Sequence, residues 1–133
     1  MSSTKTCPIN RVRLVSVNVR DPDAAIAFWR DKIGFELRSD QPYAEGDRWI
    51  EVFAPDAQTG LTLVGPANPS WQEPEEWSPA LLACEDIDGA VAELSARGVE
   101  FTGPVMRPED CPPPMVFFLY QDGRRFLLVE RGD

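Results

Sequence analysis

The 133 residues of this chain include no histidine, so the side chains that could act in catalysis or metal binding are its carboxylates, tyrosines and cysteines. Histidine is the commonest ligand of transition metals and the usual general base near neutral pH, so its absence removes both roles. Cys7, Cys84 and Cys111 are widely spaced and form no CxxC pair, and no histidine can activate them. The sequence therefore predicts neither cysteine catalysis nor a histidine-based metal centre.

Glu51 is the carboxylate best placed for acid–base work. Strand alternation puts it on one face with Trp49 and Phe53, and aromatic surroundings favour such chemistry. Glu51, Tyr43 or Tyr120 would then act as the acid or base. One hypothesis for the protein is therefore a metal-independent isomerase, cyclase or lyase of secondary metabolism.

A repeated unit must position these residues, because segments 14–37 and 79–101 share one plan. Each reads as a strand, an Asp-x-Asp, an amphipathic helix, a glycine and a second strand. The first aspartate is typical of a helix N-cap, and the glycine is typical of a helix end. The aligned pairs are Asp21 and Asp86, Asp23 and Asp88, Ile26 and Val91, Trp29 and Leu94, Gly34 and Gly98, and Glu36 and Glu100.

The repeat predicts an α+β fold of two βαβββ modules within one structural domain. The modules are expected at 12–65 and 79–133, after an N-terminal segment, 1–11, and on either side of a proline-rich acidic linker, 66–78. A hairpin turn is predicted at Asp122-Gly123. The strands expected after the two helices are 35–38, 48–53, 61–64, 99–102, 115–120 and 125–130.

Three segments of the sequence resemble the vicinal oxygen chelate superfamily of glyoxalase I, extradiol dioxygenases, fosfomycin-modifying proteins and bleomycin resistance proteins. They are VRDPDAAIAFWRDKIGFEL, CEDIDGAVAELSARGVEF and QDGRRFLLVE. The last resembles the closing DPDGN turn and final strand, although Tyr120-Gln121 replaces Asp-Pro and Arg124 replaces Asn. The resemblance covers nearly the whole chain. It implies curved sheets around a cleft, with helices on the convex side.

The same resemblance assigns four metal-ligand positions, two in each module. They fall on Leu14 and Leu61 in the first module and on Pro79 and Leu127 in the second, all apolar. We therefore expect a branch of the family that binds no metal and needs no cofactor.

A relocated set of oxygen ligands, Glu51 with Glu130 or Glu36, would instead make the protein a metal-dependent enzyme of the glyoxalase or dioxygenase type.

Loss of the metal ligands predicts an apolar cleft floor that suits flat or hydrophobic ligands. Alternation along the first strand adds two hydrogen-bonding groups, and tryptophans in the linker and methionines in the loop 103–115 are candidates to close the cleft. The predicted ligand-binding residues are Leu14, Ser16, Asn18, Tyr43, Trp49, Glu51, Phe53, Leu61, Leu63, Trp71, Trp77, Leu81, Met106, Met115, Phe117 and Leu127.

The preferred hypothesis is non-catalytic binding that sequesters an aromatic or hydrophobic natural product or antibiotic, with Glu51 pairing to a cationic group. A third hypothesis is a scaffold for protein contacts through Trp71 and Trp77. The net charge of −9 argues against nucleic acid and anionic lipid, and no apolar run reaches the roughly 20 residues of a membrane span. We expect a cytoplasmic protein, and the resemblance implies a homodimer.

Overall fold

Two four-stranded sheets and two helices form the fold of the computed structural model, which describes residues 6–109, 113–120 and 122–131. Sheet A has the strand order β1-β4-β3-β2, and sheet B repeats it as β5-β8-β7-β6. The predicted α+β fold with two βαβββ modules is confirmed. The elements are β1 (Leu14–Asn18), α1 (Pro22–Ala27), β2 (Glu36–Tyr43), β3 (Asp47–Phe53), β4 (Gly60–Val64), β5 (Trp77–Cys84), α2 (Ile87–Ala96), β6 (Glu100–Phe101), β7 (Met115–Leu119) and β8 (Arg125–Glu130).

The first helix begins and ends where the sequence predicts. The Asp21 side chain accepts hydrogen bonds from two backbone N–H groups of the first turn, and Gly34 ends the helix with a φ of 99°. The second half, Phe28–Ile33, is π-helical, so the Gly34 N–H donates to the carbonyl five residues earlier, on Trp29. The wider turn leaves two neighbouring rings, Phe28 and Trp29, buried together.

Each sheet has one face packed on the helices and one face turned away from them, which we call its outer face. In sheet A, β1 runs parallel to β4 with Val15 beside Leu61 and Val17 beside Leu63 on the helix-packed face. The outer face carries the alternate residues of both strands. They are Leu14, Ser16 and Asn18 on β1, and Gly60, Thr62 and Val64 on β4.

One hydrophobic core joins the helix-packed faces of the two sheets. Trp29 of the first module lies 5.0 Å from the ring of Phe126 on β8, and Phe28 lies 4.8 Å from that of Tyr120. The Trp29 ring also contacts Phe35 of its own module, at 5.3 Å. The first helix therefore packs against both modules. Across the described residues, no helix is long and apolar enough to cross a membrane.

Several strand ends differ from the sequence prediction. β2 continues to Tyr43 because it pairs along the whole of β3, and β6 has only two residues. β5 begins at Trp77, which pairs with Arg125 of β8, so this tryptophan belongs to the sheet and not to the linker. Proline-rich context obscured that strand start, because proline is a poor residue for a sheet interior.

Candidate functional site

The outer face of sheet A is mainly polar. Glu51 on β3 lies beside Thr62 on β4, and Thr62 lies beside Ser16 on β1, so three polar side chains cross the sheet in one row. Trp49 and Phe53 are on the same face of β3, as strand alternation predicts. The sequence analysis had placed Ser16, Trp49, Glu51 and Phe53 at one cleft but expected its floor to be apolar, whereas Thr62 and the neighbouring polar groups make this face mainly polar.

The carboxylate of Glu51 is fully engaged with neighbouring side chains. Glu51 is only 7% exposed, and its carboxylate accepts hydrogen bonds from Arg13 Nη2 at 2.9 Å and from Trp49 Nε1 at 2.6 Å. Arg13 therefore supplies the positive charge that the sequence analysis assigned to a ligand. The carboxylate fixes the indole of Trp49 in place, and a cationic ligand would have to displace Arg13.

The aromatic residues of sheet A differ in accessibility. Phe53 is buried under two guanidinium groups, those of Arg38 at 4.3 Å and Arg13 at 5.8 Å from its ring centroid. Tyr43 is exposed, and its ring lies 5.5 Å from that of Trp49. The pair of Tyr43 and Trp49 is therefore the accessible aromatic surface on this sheet.

The outer face of sheet B is apolar and open. Trp77 is 54% exposed, Leu81 is 60% exposed, and the Trp77 ring stands edge-on against Phe117 with centroids 4.8 Å apart. Leu127 lies beside both Leu81 and Phe117 in the strand register. Contiguous apolar surface of this kind marks a ligand-binding or interaction site.

Two methionines extend this apolar face at its far side. Met106 forms a β-bridge with Met115 through two backbone hydrogen bonds of 2.8 and 3.0 Å, and its side chain is exposed. Antiparallel partners share a sheet face, so both thioethers lie with Phe117. Flexible methionines adapt to ligands of different shape.

A pocket of about 310 Å³ lies where the two outer faces approach each other. Ser16 and Asn18 of β1 line one side, and Trp77 of β5 and Arg124 line the other, with residues 72–75 of the linker above. The pocket therefore places hydrogen-bonding groups next to the exposed tryptophan.

Arg124 is a site residue that the sequence analysis did not single out. It is 5% exposed and its guanidinium lies 5.1 Å from the Tyr120 ring, with Asp122 at 3.5 Å. Among the described residues, nothing accepts a hydrogen bond from its Nε. Burial lowers the pKa of this guanidinium, opposed by the nearby Asp122 carboxylate. The signal in the sequence was Arg124-Arg125, the single basic pair in an acidic chain.

Three predicted site residues lie away from the outer faces. Leu61 and Leu63 are buried on the helix-packed face of sheet A, because β4 pairs with β1 so that Leu61 lies beside Val15 and Leu63 beside Val17. Thr62 takes the outward place that had been given to Leu61. Trp71 donates its indole N–H to the carbonyl of Val19 at 2.9 Å, so it anchors the linker to the first module.

The outer faces do not offer the ligands of a divalent metal. Neighbouring pairs of first and last strands that face outward include Leu14 with Gly60, Ser16 with Thr62 and Leu81 with Leu127. Aliphatic side chains and neutral hydroxyls are poor donors for such ions. In the part of the chain that the structure describes, no three His, Cys, Asp or Glu residues come together as a metal-binding group. These residues do not fit the metal of the family's enzymes.

The chain is built from two βαβββ modules. In each module the helices cover one side of the sheet, and the other side is open to a ligand. This arrangement defines a class of small proteins that includes both binding proteins and enzymes. The chain belongs to the glyoxalase/bleomycin resistance protein/dioxygenase superfamily, whose sequence profile matches residues 9–112.

Similar proteins match nearly the whole chain. YetH of Bacillus subtilis (strain 168) is 34% identical over 122 residues, which are 92% of this chain and 99% of YetH. A superfamily member from Sphaerobacter thermophilus DSM 20745 is 31% identical, with a TM-score of 0.83 over 92% of this chain and 98% of its own. TnmS3, an antibiotic binding protein from Streptomyces sp. CB03234, is 32% identical, with a TM-score of 0.78 over 96% of this chain and 100% of its own.

Proposed function

We propose that this protein binds an aromatic or mainly apolar natural product stoichiometrically and without turnover, and that sequestration is its function. The observation that carries the proposal is the exposed apolar outer face of sheet B, where Trp77 stands edge-on against Phe117. A planar ring system stacked here gains about 0.5 to 1.5 kcal/mol per aromatic pair beyond the burial of its surface.

The neighbouring pocket supplies the polar half of the recognition. Ser16, Asn18 and Arg124 line it beside Trp77, and they offer hydrogen bonds to oxygen atoms on the ligand. Arg124 is a cation whose side chain is almost fully enclosed, so it favours an acceptor group on the ligand, such as a quinone or carboxylate oxygen. Glu73 and Glu75 also line this pocket, so a ligand that carries a cationic group fits it as well.

The likeness to TnmS3 supports the same conclusion, because it is an antibiotic binding protein that is 32% identical and is matched over its whole chain. The engagement of Glu51 by Arg13 and Trp49 gives no support to an acid–base role for this carboxylate. We further propose a cytoplasmic, metal-free homodimer in which the open face of sheet B is closed by the partner's surface.

The test is a titration with quinone and bleomycin-type compounds, followed by tryptophan fluorescence and by mass spectrometry of the recovered ligand. We expect saturable quenching and an unchanged ligand. Phe117→Ala should weaken binding at least ten-fold, whereas Ile9→Ala removes an exposed apolar side chain from the segment before β1 and should leave affinity unchanged. A chemically altered ligand would show an enzyme, and equal affinities for the two variants would remove sheet B as the site.

A further inference from the structure

A cavity of about 600 Å³ lies mainly on the helix-packed side of the molecule, and Gly60 and Leu81 border it at the edges of the two sheets. It is bounded by β1 and β4 of the first module, by the edge of β5 and by α2 of the second. Its main lining side chains are aliphatic or aromatic: Val15, Ile33, Phe35, Leu61, Leu82 and Leu94. Most of these side chains are half-buried, so the cavity opens to solvent.

The internal repeat explains why side chains of the protein do not fill this space. On sheet B, the helix residues Phe28 and Trp29 pack against the rings of Phe118 and Phe126, which are paired across β7 and β8. The corresponding strand pair of sheet A is Val52 with Leu61. Trp29 aligns with Leu94, so smaller side chains stand at the equivalent places.

The neighbour of Leu94 completes the difference between the modules. Glu93 aligns with Phe28, and its carboxylate turns to Arg97 in an ion pair instead of filling the interior. The helix-packed side of sheet B therefore holds four large side chains, two from each module, where that of sheet A has a cavity. The cavity is a specific difference between the repeats and not a general looseness of packing.

The charges at the cavity satisfy one another. Glu93 and Arg97 are the two lining side chains that are charged at neutral pH. Arg97 pairs with Glu93 and also donates to the carbonyls of Lys32 and Ile33 at 3.2 and 3.0 Å. Since no charge is left over, the cavity favours an uncharged ligand.

We propose that this cavity is a second binding site, separate from the surface around Trp77 and Phe117, that takes one uncharged and mainly hydrocarbon small molecule. Its volume lies within the roughly 300 to 1,000 Å³ of small-molecule pockets. Elements of both modules form its walls, so it suits a compact molecule and not the flat face of another protein. This inference stands independently of the proposed function.

The test uses N-phenyl-1-naphthylamine, a neutral probe whose fluorescence rises in apolar surroundings. We expect saturable binding of one probe per chain. Leu94→Trp places the residue of the first helix at the equivalent position of the second and should weaken probe binding at least ten-fold. Leu94→Met keeps the side-chain volume and should leave the affinity within about two-fold of the parent.

A second readout comes from Cys84, a residue of the cavity lining whose thiol donates to the Val129 carbonyl at 3.6 Å. In a Cys7→Ser, Cys111→Ser background it is the single thiol, and N-ethylmaleimide should label it slowly because burial, aided by Glu130 and Asp86, raises its pKa. Bound probe should slow the labelling further. The Leu94→Trp chain should show no effect of the probe.

Further variants keep the outcomes separate. If Leu94→Trp does not fold, Leu61→Phe fills the same space from sheet A and should also abolish probe binding. Probe affinity unchanged in both filled variants, or no saturable binding to the parent, would overturn the second site. Loss of probe binding when the chain self-associates would also overturn the second site, because a second copy of the chain would then cover the cavity. Phe117→Ala should lose natural-product binding and keep probe binding, which separates this inference from the function proposed above.

Discussion

Single residues on the outer face of sheet A act as structural supports for an aromatic surface. The Glu51 carboxylate holds both the guanidinium of Arg13 and the indole N–H of Trp49. This arrangement explains how a buried carboxylate is tolerated on this sheet face, because buried charges need partners.

Replacing Glu51 tests that role. Glu51→Leu leaves the indole N–H and the guanidinium without their acceptor, and it should lower the free energy of unfolding by about 2 kcal/mol. Glu51→Gln keeps an acceptor for Trp49 and loses only the ion pair to the half-exposed Arg13, so it should cost about 1 kcal/mol or less. Urea denaturation measures both, and equal costs for the two variants would contradict this assignment.

At the scale of elements, one arginine ties the β2–β3 hairpin to the start of the first helix. Arg48 donates to Asp40 on β2 at 2.8 Å and to Asp23 of α1 at 2.8 Å. Hydrogen bonds from Arg48 hold the pKa of the Asp40 carboxyl below its usual value of 3.8. The hairpin that carries Tyr43 and Trp49 is thereby anchored.

The pH dependence of this anchor has a definite sign. Because the folded-state pKa of Asp40 is depressed, its contribution to stability is present above the ordinary pKa and is lost as the pH falls below about 4. Arg48→Met should cost about 0.5 to 1 kcal/mol at pH 7, since the pair is partly exposed, and less at pH 3. Urea midpoints at pH 7, 4 and 3 provide the comparison. A difference that grows on acidification would refute the role of Asp40.

The start of β4 permits only glycine. A Cβ on Gly60 would lie 2.6 Å from the backbone oxygen of Val52 and 2.7 Å from the ring of Phe53, and the backbone oxygen cannot move without breaking the sheet. We expect Gly60→Ala to cost about 2 kcal/mol or more. Gly103→Ala meets nothing within 4 Å and should change stability by less than about 0.5 kcal/mol. Thermal denaturation measures the melting temperatures of both variants, and similar melting temperatures would contradict the steric argument.

Local signals in the sequence predicted the elements better than the sheet faces. Asp21 and Asp86 cap their helices and Gly34 ends the first, because caps and stops depend on neighbouring residues alone. The face of Leu61 was assigned wrongly, because a register shift of one residue reverses every side chain and depends on a distant strand. The burial of Arg124 also depends on residues that only the fold brings together.

At the scale of the whole molecule, the two modules have diverged in complementary ways. The first supplies a polar outer face and the aromatic helix residues of the core, and the second supplies the apolar outer face. Phe28 and Trp29 make the modules depend on each other, since these rings from one module complete the helix-packed face of the other.

The modules should therefore unfold as one cooperative unit. Trp29 is fully buried against Phe126 and Phe118, so Trp29→Leu should destabilise both sheets together by about 2 to 4 kcal/mol. Far-ultraviolet circular dichroism and tryptophan fluorescence should follow coincident single transitions in urea for the parent chain and the variant. Leu94→Ala changes the equivalent position, beside the cavity. It should lower the free energy of unfolding by less than Trp29→Leu does, because Leu94 has fewer side chains packed against it. Two separate transitions in the parent chain would show that each module has a core of its own.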